Sequence, residues 1–523
     1  MTGRPGGSTI LRVHDERPVV VVVGAGLAGL TCAERLSGPV RVILVEARDR
    51  VGGRCWSASG WDDGQVAEHG GELVEAGQVH ILRLVAELGL ELESRRPQAP
   101  VDGTFRVAGE TWLPDEIQGL PEVLAELGRQ QQVAAVVPGR LGERRFAVEL
   151  DEMSARDWID QQVEGGGNSR LGRALDLLVL INLGVPTDRL SALSLHHMFI
   201  GLAEPGQAAG FAFGNDSATD QAQFGDVIRG GVTDTYHVSG GNDQLAAGLA
   251  ARLPSGCLQP STAVTGIRRR PDGRYVVRAN GAVSDLLADR VVLATPLPPL
   301  RQVDLDQAGL SELRHQAIAQ VPMATHRKLL LQLTRQPRTD SAWPGLLVTD
   351  APPTAVWDSS IGQAGVAGLL TFFSPDPWLE VSGGHGPAPA AITASAAALV
   401  ADLAPAFDAA AAPQSWLDDW PADPWAGGSY AAFAPGQYTR FADLLSTPEN
   451  GIHFAGEHTS LASFGYMDGA ISSGVRAAAE VLVSLFGSSP PPFPAPWRSI
   501  GPGTTLPQVE AIDDGPLSGT TPR

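Results

Sequence analysis

The sequence predicts an α/β fold: a parallel-sheet domain assembled from three separated stretches, interrupted by an α+β domain built from the two stretches between them. Three observations predict it. Val19 to Val23 reads as a strand buried on both faces, followed at once by glycines at 24, 26 and 29 and an apolar helical pattern to Leu36. Strand-like apolar runs of the same kind recur at Val40–Val45, Val291–Ala294 and Ile452–Ala455, with long departures between them. A chain of 523 residues is too long for one compact core. The boundaries drawn are 18–96, 232–300 and 447–486 for the first domain and 97–231 and 301–446 for the second. Residues 1–17 and 487–523 read as disordered tails, the latter rich in Pro, Gly, Ser and Thr.

Each glycine after the first strand has a separate task. Gly24 permits a tight turn, Gly26 lets the backbone approach a pyrophosphate, and Gly29 lets helix and strand pack closely. Phosphates then meet the helix N-terminus, where free amides and the helix dipole favour anions. Glu46 ends the second strand about 20 residues on, where an acidic side chain takes ribose hydroxyls. An ADP-containing dinucleotide therefore belongs here. A second glycine pair, Gly52-Gly53, lies among Arg48, Arg50 and Arg54; a cofactor reaching further along the sheet edge would use both the glycines and the charge.

Further along, Glu68-His69-Gly70-Gly71-Glu72-Leu73 leads into an amphipathic helix closed by Gly89. Glu72 and Glu75 read as acids at that helix's N-terminus. From Glu91 to Gly231 the alternation of strand and helix fades into a helix-rich insertion, with Ser154 capping one helix and apolar helices at Leu171–Leu183 and Leu190–Leu202. A helix follows from Gly240, then strands at Ala263–Ile267, from Tyr275, and at Arg290–Ala294, the last stopped by Pro296. A second departure carries a strand at Leu329–Leu333 and a helix at Ala390–Leu403. The final return is Gly451–Glu457 and the helix bearing Ala470, Val475, Ala478 and Val481.

A net charge of −20 argues against nucleic acid. Cys32, Cys55 and Cys257 have neither metal nor disulfide spacing, so no metal site and a reducing, cytoplasmic setting are expected. The first 17 residues lack the apolar segment of a secretory signal, and no run of about 20 apolar residues stands out as a membrane span.

Three segments together resemble the flavin-containing amine oxidases, the family of monoamine oxidase, polyamine oxidases and L-amino acid oxidases. They are Val23–Gly29 with Glu46, Arg48–Arg54, and His453-Phe454-Ala455-Gly456-Glu457 with Gly465-Tyr466-Met467-Asp468-Gly469-Ala470. The resemblance runs from about Pro18 to Phe486, specific at its ends and weak in its middle. It implies a Rossmann-like FAD-binding domain with the isoalloxazine between the two domains. By that resemblance Glu46 takes the adenosine ribose, while Arg48, Gly52, Gly53 and Arg54 line the pyrophosphate and ribityl path. Gly70 and Gly71 approach the flavin, Val264 faces the adenine, Glu457 binds near the ribityl phosphate, and Met467 opens the last helix. Lys328 matches the lysine that holds a water against flavin N5 and would serve reoxidation by O2; the bland alternative is a solvated surface lysine.

Trp420, Gly427-Gly428-Ser429-Tyr430 and Gly465-Tyr466 match the aromatic-cage segments, with Trp420 counted also toward the cofactor and Tyr430 and Tyr466 as the catalytic pair. Ser429 stands where monoamine oxidases carry the flavin-linking cysteine, so the resemblance implies non-covalent FAD. The expected activity is oxidative deamination of a primary or secondary amine, with O2 reduced to H2O2. Expected partners are a small-molecule amine and O2, with neither nucleic acid nor membrane and with a homodimer left open. An L-amino acid oxidase is the nearest rival, weakened because Gly71–Glu75 lacks the arginine such enzymes place there, although Arg83 could supply it. A carbon–carbon desaturase and a flavin-binding protein without turnover are more distant. If Glu72 or Glu75 faced the pocket, a diamine or polyamine would fit.

Overall fold

The computed structural model describes residues 16–75, 77–95, 104–112, 145–198, 235–337, 346–350, 354–375, 384–403, 411–460 and 463–487. The tails expected to be disordered fall almost wholly outside these residues, as does the end of the helix expected to reach Leu202.

Five parallel strands form the sheet under the first glycine turn, in the spatial order Leu258–Gln259, Arg41–Val45, Val19–Val23, Arg290–Leu293, Ile452–Phe454. Val19–Val23 is the central strand, paired with Arg41–Val45 on one side and Arg290–Leu293 on the other. Val20, Val21 and Val22 are fully buried, because helices cover a parallel sheet on its faces. The helix Leu27–Leu36 returns from the glycine turn and packs against the helix Met467–Phe486. A Cβ on Gly474 would collide with the Ala28 carbonyl oxygen, so this crossing depends on a glycine. By length and composition Met467–Phe486 could cross a membrane, which corrects the expectation that no apolar run of that length exists. Here Ile471, Ala477, Ala478, Val481 and Leu482 are fully buried in the core beside the parallel sheet.

The second layer is an eight-stranded sheet in the order His385–Pro387, Ala411–Asp419, Arg327–Leu333, Gly368–Ser374, Ala355–Asp358, Leu347–Thr349, Thr104–Val107, Glu110–Trp112. An interior strand of it, Arg327–Leu333, is buried at every residue. The stretch from Glu91 is thus not helical throughout. Leu92–Ser94, Thr104–Val107 and Glu110–Trp112 are strands, too short to show a period of two in the sequence. The helices expected near it are present: Ala155–Gln162, with Ser154 and Asp157 forming a reciprocal capping box, and Arg170–Leu183. Gly89 closes Val79–Leu88 at φ 66°. That helix has no side-chain cap of its own, and Asp468 supplies one from a distance, accepting from the His80 and Ile81 amides at 2.8 and 2.9 Å.

Candidate active site

The three glycines after the first strand do different work. Gly24 sits at φ +98°, and a Cβ there would lie 2.9 Å from the Ala294 carbonyl oxygen. Gly29 presses on the Gly24 carbonyl, so a Cβ would clash. Gly26 is different. Its φ is −71° and a Cβ would meet nothing nearer than the Gly52 oxygen at 4.0 Å. The chain itself has no need of glycine at 26; the open space suits a group from outside.

Other features fit the FAD that the resemblance implies. No side chain caps the helix Leu27–Leu36, leaving its first turn to another acceptor. Gly26 and Gly52 form a parallel bridge, joining the two glycine turns. Arg50 Nη2 and Thr295 Oγ1 are buried beside these turns without hydrogen-bond partners among the described residues. Glu46 accepts from the amides of Ala25 at 2.6 Å and Arg48 at 2.9 Å, which fixes its carboxylate between the turns with lone pairs to spare for ribose hydroxyls. The Thr262 amide donates to the Glu46 carbonyl at 2.7 Å, bringing the strand Ala263–Arg269, and Val264 with it, to the same end.

Arg48 gives both hydrogen bonds of one guanidinium nitrogen to Asp423, at 2.7 Å each. Asp423 also faces His385 Nε2 at 2.6 Å, His385 Nδ1 faces Asp418 at 2.8 Å, and Asp418 faces His69 Nδ1 at 3.0 Å. His385 thus donates to a carboxylate from each ring nitrogen. Burial alone would lower its pKa, but these two hydrogen bonds outweigh it and raise it above the ordinary histidine range. Arg48 and His69 reach this cluster across 375 and 349 residues, separations that sequence spacing does not encode.

At the other end, Gly70 and Gly71 lie between two aromatic or thioether side chains. A Cβ on Gly71 would meet the Met467 sulfur at 2.9 Å, and one on Gly70 would lie 3.3 Å from the Trp420 ring after colliding with the Arg54 carbonyl. Trp420 Nε1 donates to the His69 carbonyl at 2.9 Å, locking its ring there. Lys328 reaches the same edge. Its Nζ donates to the carbonyls of Gly70 at 2.9 Å and Glu68 at 3.2 Å and to Glu72 Oε2 at 2.8 Å. With its side chain only 5% exposed, it is not the solvated surface lysine of the alternative reading.

Glu72 corrects an expectation. It does not open a helix, because the helix begins at Val79; it is buried, and its other oxygen accepts from Trp357 Nε1 at 3.0 Å and Ser359 Oγ at 2.8 Å. Burial would raise its pKa. Lys328 and Arg95, with hydrogen bonds from Lys328 and Trp357, reverse this and bring it down to about 2. Glu75 likewise sits in the short strand Val74–Glu75, ahead of the helix, and its carboxylate accepts a hydrogen bond from the Tyr466 hydroxyl.

The aromatic residues form a continuous wall. Tyr430 tilts against His326 with ring centroids 5.1 Å apart, His326 stacks on Phe373 at 4.1 Å, and Phe373 meets Trp357 edge-on at 5.6 Å. Trp357 in turn lies 5.7 Å from Lys328 Nζ. Of these, His326, Phe373 and Trp357 escaped the sequence reading. The available signal is period two: His326, just before the strand Arg327–Leu333, and Lys328 within it stand two apart, and Phe373 pairs directly with Lys328 in register. His326 accepts from or donates to Ser429 Oγ at 2.9 Å, and burial brings its pKa down to about 3, so the ring is neutral.

Glu457 ties the tyrosines to the rest. One oxygen faces Arg54 Nη1 at 3.0 Å and accepts from the Ala431 amide at 3.2 Å; the other accepts from Gly465 at 3.1 Å. The residues flanking these amides are Tyr430 and Tyr466. The Tyr430 ring lies beside Gly465, whose Cβ would come within 3.6 Å of it. The Tyr430 hydroxyl donates to the Asn182 carbonyl at 2.6 Å. Burial, then Glu457, raises the Tyr430 pKa, and burial with Glu75 raises that of Tyr466, so both phenols keep their protons. Among the described residues no group of three or more His, Cys, Asp or Glu is arranged to hold a metal.

The family model described as flavin containing amine oxidoreductase matches residues 27–482. An L-amino acid dehydrogenase of Synechocystis sp. is 26% identical over 503 residues, covering 89% of this chain and 94% of the relative. Flavin-containing amine oxidase A of Canis lupus familiaris is 25% identical over 482 residues, covering 89% and 85%. Among solved structures, cyclohexylamine oxidase from Brevibacterium oxydans superposes with a TM-score of 0.73 at 21% identity, covering 90% of this chain and 99% of that one; this likeness is one of fold.

Proposed function

This chain belongs to the flavin-containing amine oxidoreductase family, and we propose that within it the protein carries out oxidative deamination of a primary or secondary amine. The amine loses two electrons and two protons to become an imine, water hydrolyses the imine to a carbonyl compound, and O2 takes up the electrons and protons as H2O2. FAD, held non-covalently because Ser429 replaces the linking cysteine, supplies when bound the two-electron acceptor that no side chain here provides.

One observation carries this reading: Lys328, Trp420 and Met467 converge on Gly70-Gly71, while Glu457 holds the backbone beside both Tyr430 and Tyr466. The chain's part is to orient and desolvate. Tyr430, His326, Phe373 and Trp357 offer aromatic faces that receive a slender amine and direct its nitrogen. Because His326 is neutral and the phenols stay protonated, none of them removes a proton from an ammonium. The wall instead favours the uncharged amine, the form with a free lone pair. Lys328, paired with Glu72, supplies the ammonium beside which O2 is reduced.

Glu75 favours one refinement. Its carboxylate hydrogen-bonds Tyr466, so a substrate with a second, charged amine has an anion to meet, and a diamine or polyamine is the substrate class this supports. The L-amino acid alternative is weaker: Arg83, which could have held a substrate carboxylate, is paired with Glu87 at 2.8 Å on its own helix. Peroxide release under air from a panel of monoamines, diamines and α-amino acids tests the reading. Turnover of amines supports it; turnover of α-amino acids alone transfers the protein to the rival activity.

A further inference from the structure

The carboxylate of Glu72 lies against the lysine that reaches the Gly70 edge. Its Oε2 accepts from Lys328 Nζ at 2.8 Å, and the two side chains are 6% and 5% exposed. Three further groups prevent it from turning away. Trp357 Nε1 and Ser359 Oγ donate to Oε1, and Asn242 Nδ2 donates to the Glu72 backbone carbonyl at 2.8 Å. Ser359 is itself held by Thr371 Oγ1 at 2.6 Å. Glu72 is thus fixed from two remote stretches of chain, Trp357–Ser359 and Asn242, before it meets the lysine.

An ammonium has three protons, and Lys328 places them on two backbone carbonyls and one carboxylate. The carbonyls, Glu68 and Gly70, flank His69 on one strand-to-turn segment and set a direction. Only Glu72 carries charge. Removing it leaves the lysine in a largely dry site with a full uncompensated cation, whereas keeping it makes the pair neutral overall.

We propose that Glu72 is a positioning residue for Lys328: it aims the ammonium at the Gly70 edge and cancels its net charge there, so that a flavin bound against Gly70-Gly71 meets a dipole instead of a cation. This rests on reading Gly70-Gly71 as the flavin wall. Reduced flavin carries more negative charge than oxidised flavin, so the pair sets how readily the cofactor accepts electrons and gives them up. Glu72 lowers the tendency to accept electrons and Lys328 raises it.

The opposite signs make the test. Midpoint potentials of the bound flavin are measured by dye equilibration for wild-type holoprotein, Glu72→Gln, Glu72→Asp, Lys328→Met and the double variant Glu72→Gln with Lys328→Met. The potential rises in Glu72→Gln, falls in Lys328→Met, and returns toward wild type in both Glu72→Asp and the double variant. Sulfite, which adds to electron-poor flavins, binds Glu72→Gln roughly tenfold more tightly, the effect of one charge acting over a few ångströms in a partly solvated interior. A merely structural Glu72 would lower thermal stability and leave the potential alone, or move both single variants in the same direction; either result overturns the proposal. If Glu72→Gln does not fold, Lys328→Met against the double variant and Glu72→Asp still decide it. Colourless wild-type protein overturns the flavin-wall reading and the proposal with it; yellow protein with unchanged potentials overturns the proposal alone.

Discussion

Arg54 and Glu457 meet at 3.0 Å across 403 residues of sequence. The carboxylate is only 6% exposed and the guanidinium 22%. Because Glu457 also holds the amides of Ala431 and Gly465, this one ion pair fastens the second glycine turn to both tyrosine segments. The arginine completes the bond by donating to the Ser429 carbonyl at 2.5 Å.

Glu457→Gln keeps the shape and removes the charge. Breaking a buried pair costs about 3–5 kcal/mol, and the partial exposure of Arg54 brings the expected loss nearer to about 2. Thermal unfolding in the presence and absence of added FAD reads it: Tm falls by a few degrees in both and flavin retention weakens. An unchanged Tm would show that Arg54 does not depend on this partner.

Gly26→Ala and Gly29→Ala separate what the chain needs from what a ligand needs. The methyl at 26 finds open space, so apoprotein stability stays within about 0.5 kcal/mol of wild type, while FAD affinity drops at least tenfold. The methyl at 29 collides with Gly24, so Gly29→Ala loses stability with or without cofactor. Equal flavin affinity in wild type and Gly26→Ala would remove the pyrophosphate from this turn.

Glu72 makes stability fall in acid. Its pKa is depressed from the ordinary 4.5 to about 2, so the native state binds fewer protons than the unfolded chain between those values. The stabilisation is complete above about 4.5 and is lost as pH falls toward 2, a contribution of about 3 kcal/mol. Denaturant unfolding of wild type and Glu72→Gln from pH 6 to pH 3 checks the sign: the difference between them narrows as pH falls. A constant difference contradicts the buried pair.

His385 acts in the opposite direction. Its pKa is raised by Asp418 and Asp423 despite burial, so its stabilisation is complete below the unfolded histidine value near 6.5 and disappears as pH rises past the raised value. His385→Asn is therefore less stable than wild type at pH 6, and the gap closes in alkaline solution. A gap that widens with pH would reverse the assignment of charge to this ring.

Much of the cofactor's half of the molecule was legible because its signals are local. Five valines, three glycines at fixed offsets and Glu46 define one strand, one turn and one helix within 28 residues, and the same logic recovers Arg290–Leu293 and Ile452–Phe454. The rest depends on meetings that sequence spacing does not encode. Glu72 looked like a helix-terminal acid because a helix follows it, yet its partners are Lys328, Trp357 and Ser359, more than 250 residues away. Thr104–Val107 and Glu110–Trp112 leave no such signal because strands of three or four residues have no measurable period. A single histidine beside an apolar run reads as packing; the ring contacts of His326 with Phe373 and Tyr430 exist only after the chain folds.

The most direct test of the account is anaerobic mixing of the purified yellow protein with amines, following the flavin absorbance. A monoamine or diamine bleaches the flavin, and Tyr430→Phe with Tyr466→Phe slows the bleaching severalfold while the cofactor stays bound. A flavin that no amine in the panel bleaches would contradict it.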